Sequence, residues 1–283
     1  MKKLYVGLGV IVGLVLVVLT ALPTILHAAG LHPIYEGAAV ALPGKRALII
    51  TTSHSVLAKP GETEGPETGV MASEFTHPYY TFLDGGMSVD MASIQGGVIP
   101  IDPQTLSYPV ATPEDKRYLN DSIAQAKAQN SLAIADVDMR LYDIIFISGG
   151  WGAAYDLAQT PAMAAQVTEA YYGQRAAVIG GVCHGVLGLV NAKDLDGNTL
   201  IAGRRMTGVS DKQIKELGIE MTPLHPETEL RRAGALYESQ TAFRDIFATH
   251  VVVDKEQRFV TGQNQNSGLE TAHRMMQVIS EQG

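Results

Sequence analysis

The segment AAVIGGVCHGVLGLV, residues 176–190, decides the fold that we predict for this chain. A run of small and branched apolar residues, typical of a buried β-strand, leads directly into Cys183, and small apolar residues then continue as a predicted helix. A strand that turns sharply into a helix at a reactive side chain is a nucleophile elbow, and glycines leave room for that bend. The segment therefore predicts an α/β fold with Cys183 at the carboxyl edge of a parallel sheet.

Cys183 is the single cysteine among the 283 residues, which excludes an internal disulfide and any multi-cysteine metal site. A lone cysteine is most often a buried structural residue. The spacing Gly-x-Cys-x-Gly at a strand end favours a nucleophile instead, with His184 beside it. The N-terminus of the following helix is expected to lower the thiol pKa and to offer backbone N–H groups to an oxyanion.

Outward from this elbow, apolar runs alternate with helical segments from residue 45 onward. The predicted strands are mostly continuous apolar runs, as in a parallel sheet covered on both faces: 47–51, 89–94, 144–147, 176–179, 250–253 and 258–261. Thr112 and Thr160, each followed by a proline, mark helices that run to about residues 130 and 172, and further helices are predicted over 226–233 and 269–279. The alternation predicts a doubly wound α/β fold whose mostly parallel sheet is sandwiched by helices.

The N-terminal 30 residues form a separate segment. After Lys2 and Lys3 come 23 residues without charge, 4–26, which as a helix would measure about 34 Å, against about 30 Å of bilayer hydrocarbon. Secretory signals have shorter apolar cores of about 7–15 residues, although 26–28 is a passable cleavage site. We therefore predict a membrane anchor over 1–30, with a signal segment as the alternative, a linker over 31–44 and one catalytic domain over 45–283.

The charged residues predict the side of the membrane on which this domain lies, and they argue against one class of partner. By the positive-inside rule, Lys2 and Lys3 stay cytoplasmic and the remainder lies on the extracytoplasmic side, or is secreted or periplasmic if the segment is cleaved. The 21 basic and 29 acidic residues give a formal net charge of −8, which falls to −10 without the two lysines of residues 1–30. This acidic balance argues against a nucleic-acid partner.

Five blocks of sequence, in order, carry a family resemblance. They are 67–79 with Glu74 and His77, 89–103, 148–157, the Cys183-His184-Gly185 motif, and 260–264. Together they resemble the DJ-1/PfpI superfamily, whose fold is flavodoxin-like and of the class I glutamine amidotransferase type. The chain is most similar to the heat-shock-chaperone branch, the glutathione-independent glyoxalase III enzymes, from about residue 45 to residue 277.

The resemblance assigns roles residue by residue. Cys183 matches the nucleophile, His184 the adjacent histidine and Glu74 the carboxyl group that lies against the thiol. Gly150 and Trp151 fall on the oxyanion loop, where Trp151 replaces a common histidine. The branch also has an acid that orients its histidine, but the corresponding position here is Ile214, with Asp211 and Glu216 nearby and out of register.

The implied activity needs no cofactor and no metal. It is the conversion of a small 2-oxoaldehyde to a 2-hydroxy acid, methylglyoxal to D-lactate, through a hemithioacetal on Cys183. Deglycation by the same cysteine is an alternative, and a cysteine peptidase is less favoured without the third acid. A holdase chaperone or redox sensor without turnover is an alternative of another class. Relatives commonly dimerise, so a homodimer is among the expected assemblies.

Five other histidines are not expected to take part in catalysis or to bind a metal. His77 is expected to pack at a helix start near the site. His54, His225, His250 and His273 have no metal-ligand spacing.

Overall fold

The computed structural model describes residues 2–282, without the side chains of Lys2, Lys3, Leu4, Val6 and Leu8. Met1 and Gly283, the end residues of the predicted anchor and catalytic segments, lie outside the described residues. So do the two lysine side chains on which the predicted orientation depends. The first element is a helix, α1 (Lys2–Ala28), and residues 31–44 after it contain neither helix nor strand.

The core of the fold is a mostly parallel β-sheet. The strands are β1 (Arg46–Thr51), β2 (Ser88–Ser93), β3 (Leu132–Ala133), β4 (Ile144–Ile147), β5 (Val178–Val182), β6 (Arg205–Met206), β7 (Leu236–Tyr237), β8 (Val251–Val253) and β9 (Phe259–Gly262). Seven of them form one sheet in the order β3-β2-β1-β4-β5-β9-β8, in which only β8 runs antiparallel to its neighbour. Strands β6 and β7 form a separate parallel pair. The predicted mostly parallel α/β architecture is confirmed.

Helices cover both faces of the sheet. They are α2 (Ala72–Asp84), α3 (Pro113–Tyr118), α4 (Ser122–Gln129), α5 (Ala153–Asp156), α6 (Pro161–Tyr172), α7 (Asp211–Leu217), α8 (Pro226–Arg232) and α9 (Gly268–Gln282). Ile49 and Phe146 point into an apolar cluster with α2 and α9, whereas Leu48 and Ile145 point into a second cluster with α6 and α8. Because both faces of each central strand are buried, the strands are apolar without alternation.

Two predicted boundaries are wrong for local reasons. The helix expected over 112–130 is two helices, because the Asp121 carboxylate accepts the backbone N–H groups of Ile123 and Ala124 and so begins α4 anew. The strand expected over 176–179 begins at Val178, since Ala176 has a left-handed φ of 50°. The helix α2, which carries Glu74, was not among the predicted helices, and its helix-breaking Pro78 obscures the pattern.

The order of the strands in the sheet predicts where a ligand would bind. After β1 the chain adds strands on one side of it, β2 and then β3, and after β4 it adds β5 and β9 on the other. The carboxyl edge at such a topological switch point is where open α/β sheets bind ligands. Because β4 and β5 are parallel neighbours, the segments that follow them lie side by side.

Candidate active site

Cys183 occupies the predicted sharp turn after β5. Its φ of 57° lies in the left-handed region, which costs a non-glycine residue about 1–3 kcal/mol and is typical of functional sites. Gly185 follows because a Cβ there would collide with the carbonyl oxygen of Ile147. A helix follows the cysteine as predicted, and residues Cys183–Leu189 form it as a 3₁₀-helix.

Three predicted residues, Cys183, His184 and Glu74, come together in the structure. The Glu74 carboxylate accepts the backbone N–H of Gly149 at 2.9 Å, and Glu74 and Cys183 line the same cavity. The Nδ1 atom of His184 lies 3.5 Å from the Cys183 sulfur. All three side chains are buried. Their catalytic roles stay predictions, but the geometry allows a proton to pass between thiol, carboxyl and imidazole.

Burial governs the protonation of this group. Desolvation raises the pKa of Glu74 to about 8, against the opposing hydrogen bonds from Cys183 and Gly149. Desolvation, reinforced by the charge of Glu74, raises the pKa of the Cys183 thiol well above its usual value. The backbone N–H of His184, at the start of the helix, acts in the expected lowering direction, but burial outweighs it. The pKa of His184 falls to about 3, chiefly through burial and secondarily through His225, so its imidazole is neutral.

The oxyanion loop follows β4. The backbone N–H groups of His184 and Gly150 both act to lower the pKa of the Cys183 thiol, as donors near the sulfur do. Gly150 has a φ of 94°, and a Cβ there would collide with the backbone of Gly69 and Met71. Only glycine therefore fits at this position.

Trp151 contributes its side chain to the site. The indole packs edge-on against the imidazole of His184, with ring centroids 5.3 Å apart, and lines the cavity above the sulfur. Its contact with His184 restrains the imidazole by packing, not by a hydrogen bond.

Neither nearby acid replaces the missing orienting acid. Ile214 is fully buried in the apolar cluster that includes Cys183. Glu216 accepts the backbone N–H of Asp245, and Asp211 accepts the hydroxyl of Thr228. Within residues 2–282, the Nε2 atom of His184 is buried and has no hydrogen-bond partner.

The other histidines lie outside the reacting group. His77 is in the second turn of α2 and not at its start, and its Nε2 lies 3.3 Å from a carboxylate oxygen of Glu114. This contact holds α2 to the start of α3. In the part of the chain that the structure describes, no cluster of three or more His, Cys, Asp or Glu side chains could hold a metal ion.

A cavity of about 230 Å³ opens above Cys183. Its apolar wall consists of Leu31, Met71, Val110, Trp151, Leu217 and Ile246. The polar residues of the lining include Asp102, Gln104, Thr105, Gln213 and Gln265. Most of these lining residues carry no motif and come from distant segments, so sequence reasoning missed them.

Comparisons with known proteins show which family the sequence matches. The sequence profile of the DJ-1/PfpI family matches residues 67–277. A curated relative, glyoxalase 3 of Candida albicans, is 27% identical over 74% of this chain and 89% of its own. The crystal structure of glyoxalase III from the same organism is 26% identical, covers 83% of this chain and 97% of its own, and has a TM-score of 0.72. The X-ray structure of Rapid Encystment Protein 24 kDa from Francisella tularensis is 32% identical, covers 83% and 99%, and has a TM-score of 0.74.

Proposed function

Because this chain belongs to the DJ-1/PfpI family, we propose that it is a glyoxalase III-like enzyme that converts a small 2-oxoaldehyde, such as methylglyoxal, to a 2-hydroxy acid without glutathione. The observation that carries the proposal is the buried thiol of Cys183, which lines a small cavity together with the buried carboxyl of Glu74 and lies 3.5 Å from the imidazole of His184. The relatives named as glyoxalases support it. Since the thiol is not acidic, the reaction needs a base, and Glu74 with a pKa of about 8 suits that task.

In the first step, the Cys183 sulfur bonds to the aldehyde carbon, C1. The thiol proton passes to the ionised carboxylate of Glu74, and the C1 oxygen becomes an oxyanion. The N–H groups of Gly150 and His184 donate to that oxyanion, and Glu74 then returns its proton to it, giving a neutral hemithioacetal.

In the second step, Glu74 moves a proton along the substrate. It removes the C1 hydrogen as a proton and passes it to the C2 oxygen, which gives an enediol. It then takes the proton of the C1 hydroxyl and delivers it to C2, so C1 is oxidised and C2 is reduced within one molecule. The product is a thioester on Cys183. Water then breaks the bond between C1 and sulfur, which releases the 2-hydroxy acid and restores the thiol. Neutral His184 holds the sulfur in place throughout.

The test is turnover of methylglyoxal by the purified full-length chain in detergent, with D-lactate measured and glutathione left out. We expect Cys183→Ala to remove activity, because no covalent adduct forms. Ser55→Ala, an exchange of similar size at an exposed position outside the cavity, is the control and should retain activity. Absence of turnover by the unmutated chain would sink the proposal, and suppression of aggregation that survives Cys183→Ala would then favour the chaperone alternative.

We also propose that α1 anchors the chain in a membrane, with the catalytic domain on the extracytoplasmic side. Residues Gly9–Ala28 form a helix of 20 residues that is long and apolar enough to cross a bilayer, and none of it is buried against the domain. Lys2 and Lys3 before it give the orientation. Cleavage at 26–28 would instead release the domain.

A further inference from the structure

The residues directly after α1 lie in the active site. Leu31 and His32 line the cavity above Cys183, although they are more than 30 residues ahead of the range that matches the family profile. Leu31 is 8% exposed. This part of the cavity wall is therefore an addition to the segment that carries the family likeness.

Hydrogen bonds fix the segment in this position. The backbone N–H of His32 donates to the side-chain oxygen of Asn266 at 3.0 Å, and its Nε2 lies 3.2 Å from the carbonyl oxygen of Pro109. The Asn266 amide also donates to the carbonyl of Ile246 at 2.6 Å. Asn266 is 2% exposed, and its two hydrogen bonds connect Ile246 to the segment 31–32 in the interior of the protein.

Backbone contacts also connect the end of α1 to this segment. The backbone N–H of Leu31 donates to the carbonyl of Leu26 at 2.9 Å, which joins the segment rigidly to α1. Gly30 contacts the backbone of Phe247, next to Ile246 in the cavity wall. The lining of the cavity thus begins at Leu31, three residues after the end of the proposed membrane anchor.

The size and chemistry of the cavity exceed what methylglyoxal needs. Methylglyoxal has only five non-hydrogen atoms. The cavity of about 230 Å³ could hold several water molecules at roughly 30 Å³ each, so it has room for a longer substrate. Apolar side chains, among them Leu31 and Ile246, form part of its lining. An alkyl chain on C2 of the substrate would be desolvated against these apolar side chains.

We propose that Leu31 and His32 form a specificity wall of the active site, which selects 2-oxoaldehydes with a short alkyl chain over methylglyoxal. The inference rests on the proposed function, because it names the substrate class of the same site. Leu31 supplies the apolar contact, and His32 positions it through Asn266 and Pro109.

The experiment compares kcat/KM of the full-length chain for methylglyoxal, 2-oxobutanal and 2-oxopentanal. A buried methylene contributes about a fourfold gain, so we expect increases of about fourfold and about sixteenfold over methylglyoxal. Leu31→Ala should lower the 2-oxopentanal to methylglyoxal ratio at least threefold. Ile34→Ala, at a 72% exposed position outside this cavity, should leave the ratio unchanged. The ratio is independent of the folded fraction, so partial misfolding of a variant does not obscure the result.

Two outcomes would contradict the proposal of a specificity wall but leave the proposed function intact. One is turnover of methylglyoxal with equal or lower kcat/KM for the longer aldehydes, and the other is a ratio that Leu31→Ala leaves unchanged. Failure of the unmutated chain to convert any of the three aldehydes contradicts the proposed function itself, and the wall with it.

Discussion

At the scale of the residue, the site depends on the protonation of two buried groups. The Cys183 thiol and the Glu74 carboxyl are buried together, and desolvation raises the pKa of both. With a pKa of about 8, only about one tenth of Glu74 is ionised at pH 7. The ionised minority is the reactive form in the proposed mechanism, because it accepts the thiol proton as the sulfur attacks.

We therefore expect kcat/KM for methylglyoxal to rise with pH through about 8. Glu74→Gln should lower kcat/KM at least about a hundredfold and remove that rise. Glu67→Gln, an exposed glutamate of the same sequence block, serves as the control and should keep both the rate and the profile. A pH profile of the same shape in Glu74→Gln would show that another group is the base.

Glu74 also couples stability to pH. Since its pKa is raised from 4.5 in the unfolded chain to about 8, the folded state holds a proton that the unfolded state releases between these values. Its stabilising contribution is fully present below pH 4.5 and is lost as pH rises through about 8, at no more than about 1.4 kcal/mol per pH unit. Thermal unfolding should then show Glu74→Gln to be more stable than the unmutated chain at pH 8.

At the scale of the element, a carboxylate organises the segment that completes the cavity. The Asp245 side chain accepts hydrogen bonds from Lys212 at 2.7 Å, Thr241 at 2.8 Å and Ser210 at 2.8 Å. Burial opposes its charge, but these hydrogen bonds outweigh that effect and hold the pKa of Asp245 below its usual value. The carboxylate thus joins α7 to residues 241–245, and Ile246 follows directly as part of the cavity wall.

We expect Asp245→Asn to loosen this junction. The substitution removes the charge and at least one accepting site, at a cost of about 2–3 kcal/mol in the free energy of unfolding. Trypsin cleavage after Arg244, which is exposed beside it, should become faster. Asp196→Asn in an exposed loop is the matched control. Equal cleavage rates in Asp245→Asn and in the unmutated chain would mean that the segment holds its position without the carboxylate.

At the scale of the whole molecule, the proposed anchor and the active site are continuous. The chain leaves α1 at Ala28 and reaches the cavity three residues later at Leu31. The sheet edge with Cys183 therefore faces the end of the helix. The proposed anchor would therefore hold the cavity, and the substrates that enter it, close to the membrane surface.

We expect the full-length chain to stay with membranes through an alkaline carbonate wash, and its domain to be digested by protease in intact spheroplasts. Leu14→Arg with Val17→Arg, each costing about 2.5–3.5 kcal/mol at a bilayer centre, should move the chain to the soluble fraction. Leu195→Arg, at an exposed position of the domain, is the control. A chain shortened at 26–28 would reveal a cleaved signal, and a double variant that still pellets would contradict anchoring by α1.

Local sequence was enough to predict much of the fold. The apolar runs of β1, β4 and β9 and the start of α6 at Pro161 were found because burial on both faces and the conformation of proline act within a few residues. The elbow at Cys183 was visible for the same reason, since its glycines are required by contacts of the adjacent backbone. Family blocks added Glu74, which no local pattern joins to a cysteine more than 100 residues away.

Sequence by itself thus determined the α/β class, the elbow and the candidate residues Cys183, His184 and Glu74. Only the tertiary structure decided their protonation, reversing the expected acidity of the thiol, and only it brought Leu31 and Ile246 to one cavity. The physical reason is that strand periodicity and turn geometry are set by neighbouring residues. Desolvation and cavity shape depend on every element that packs around the site, so they arise only when distant segments meet.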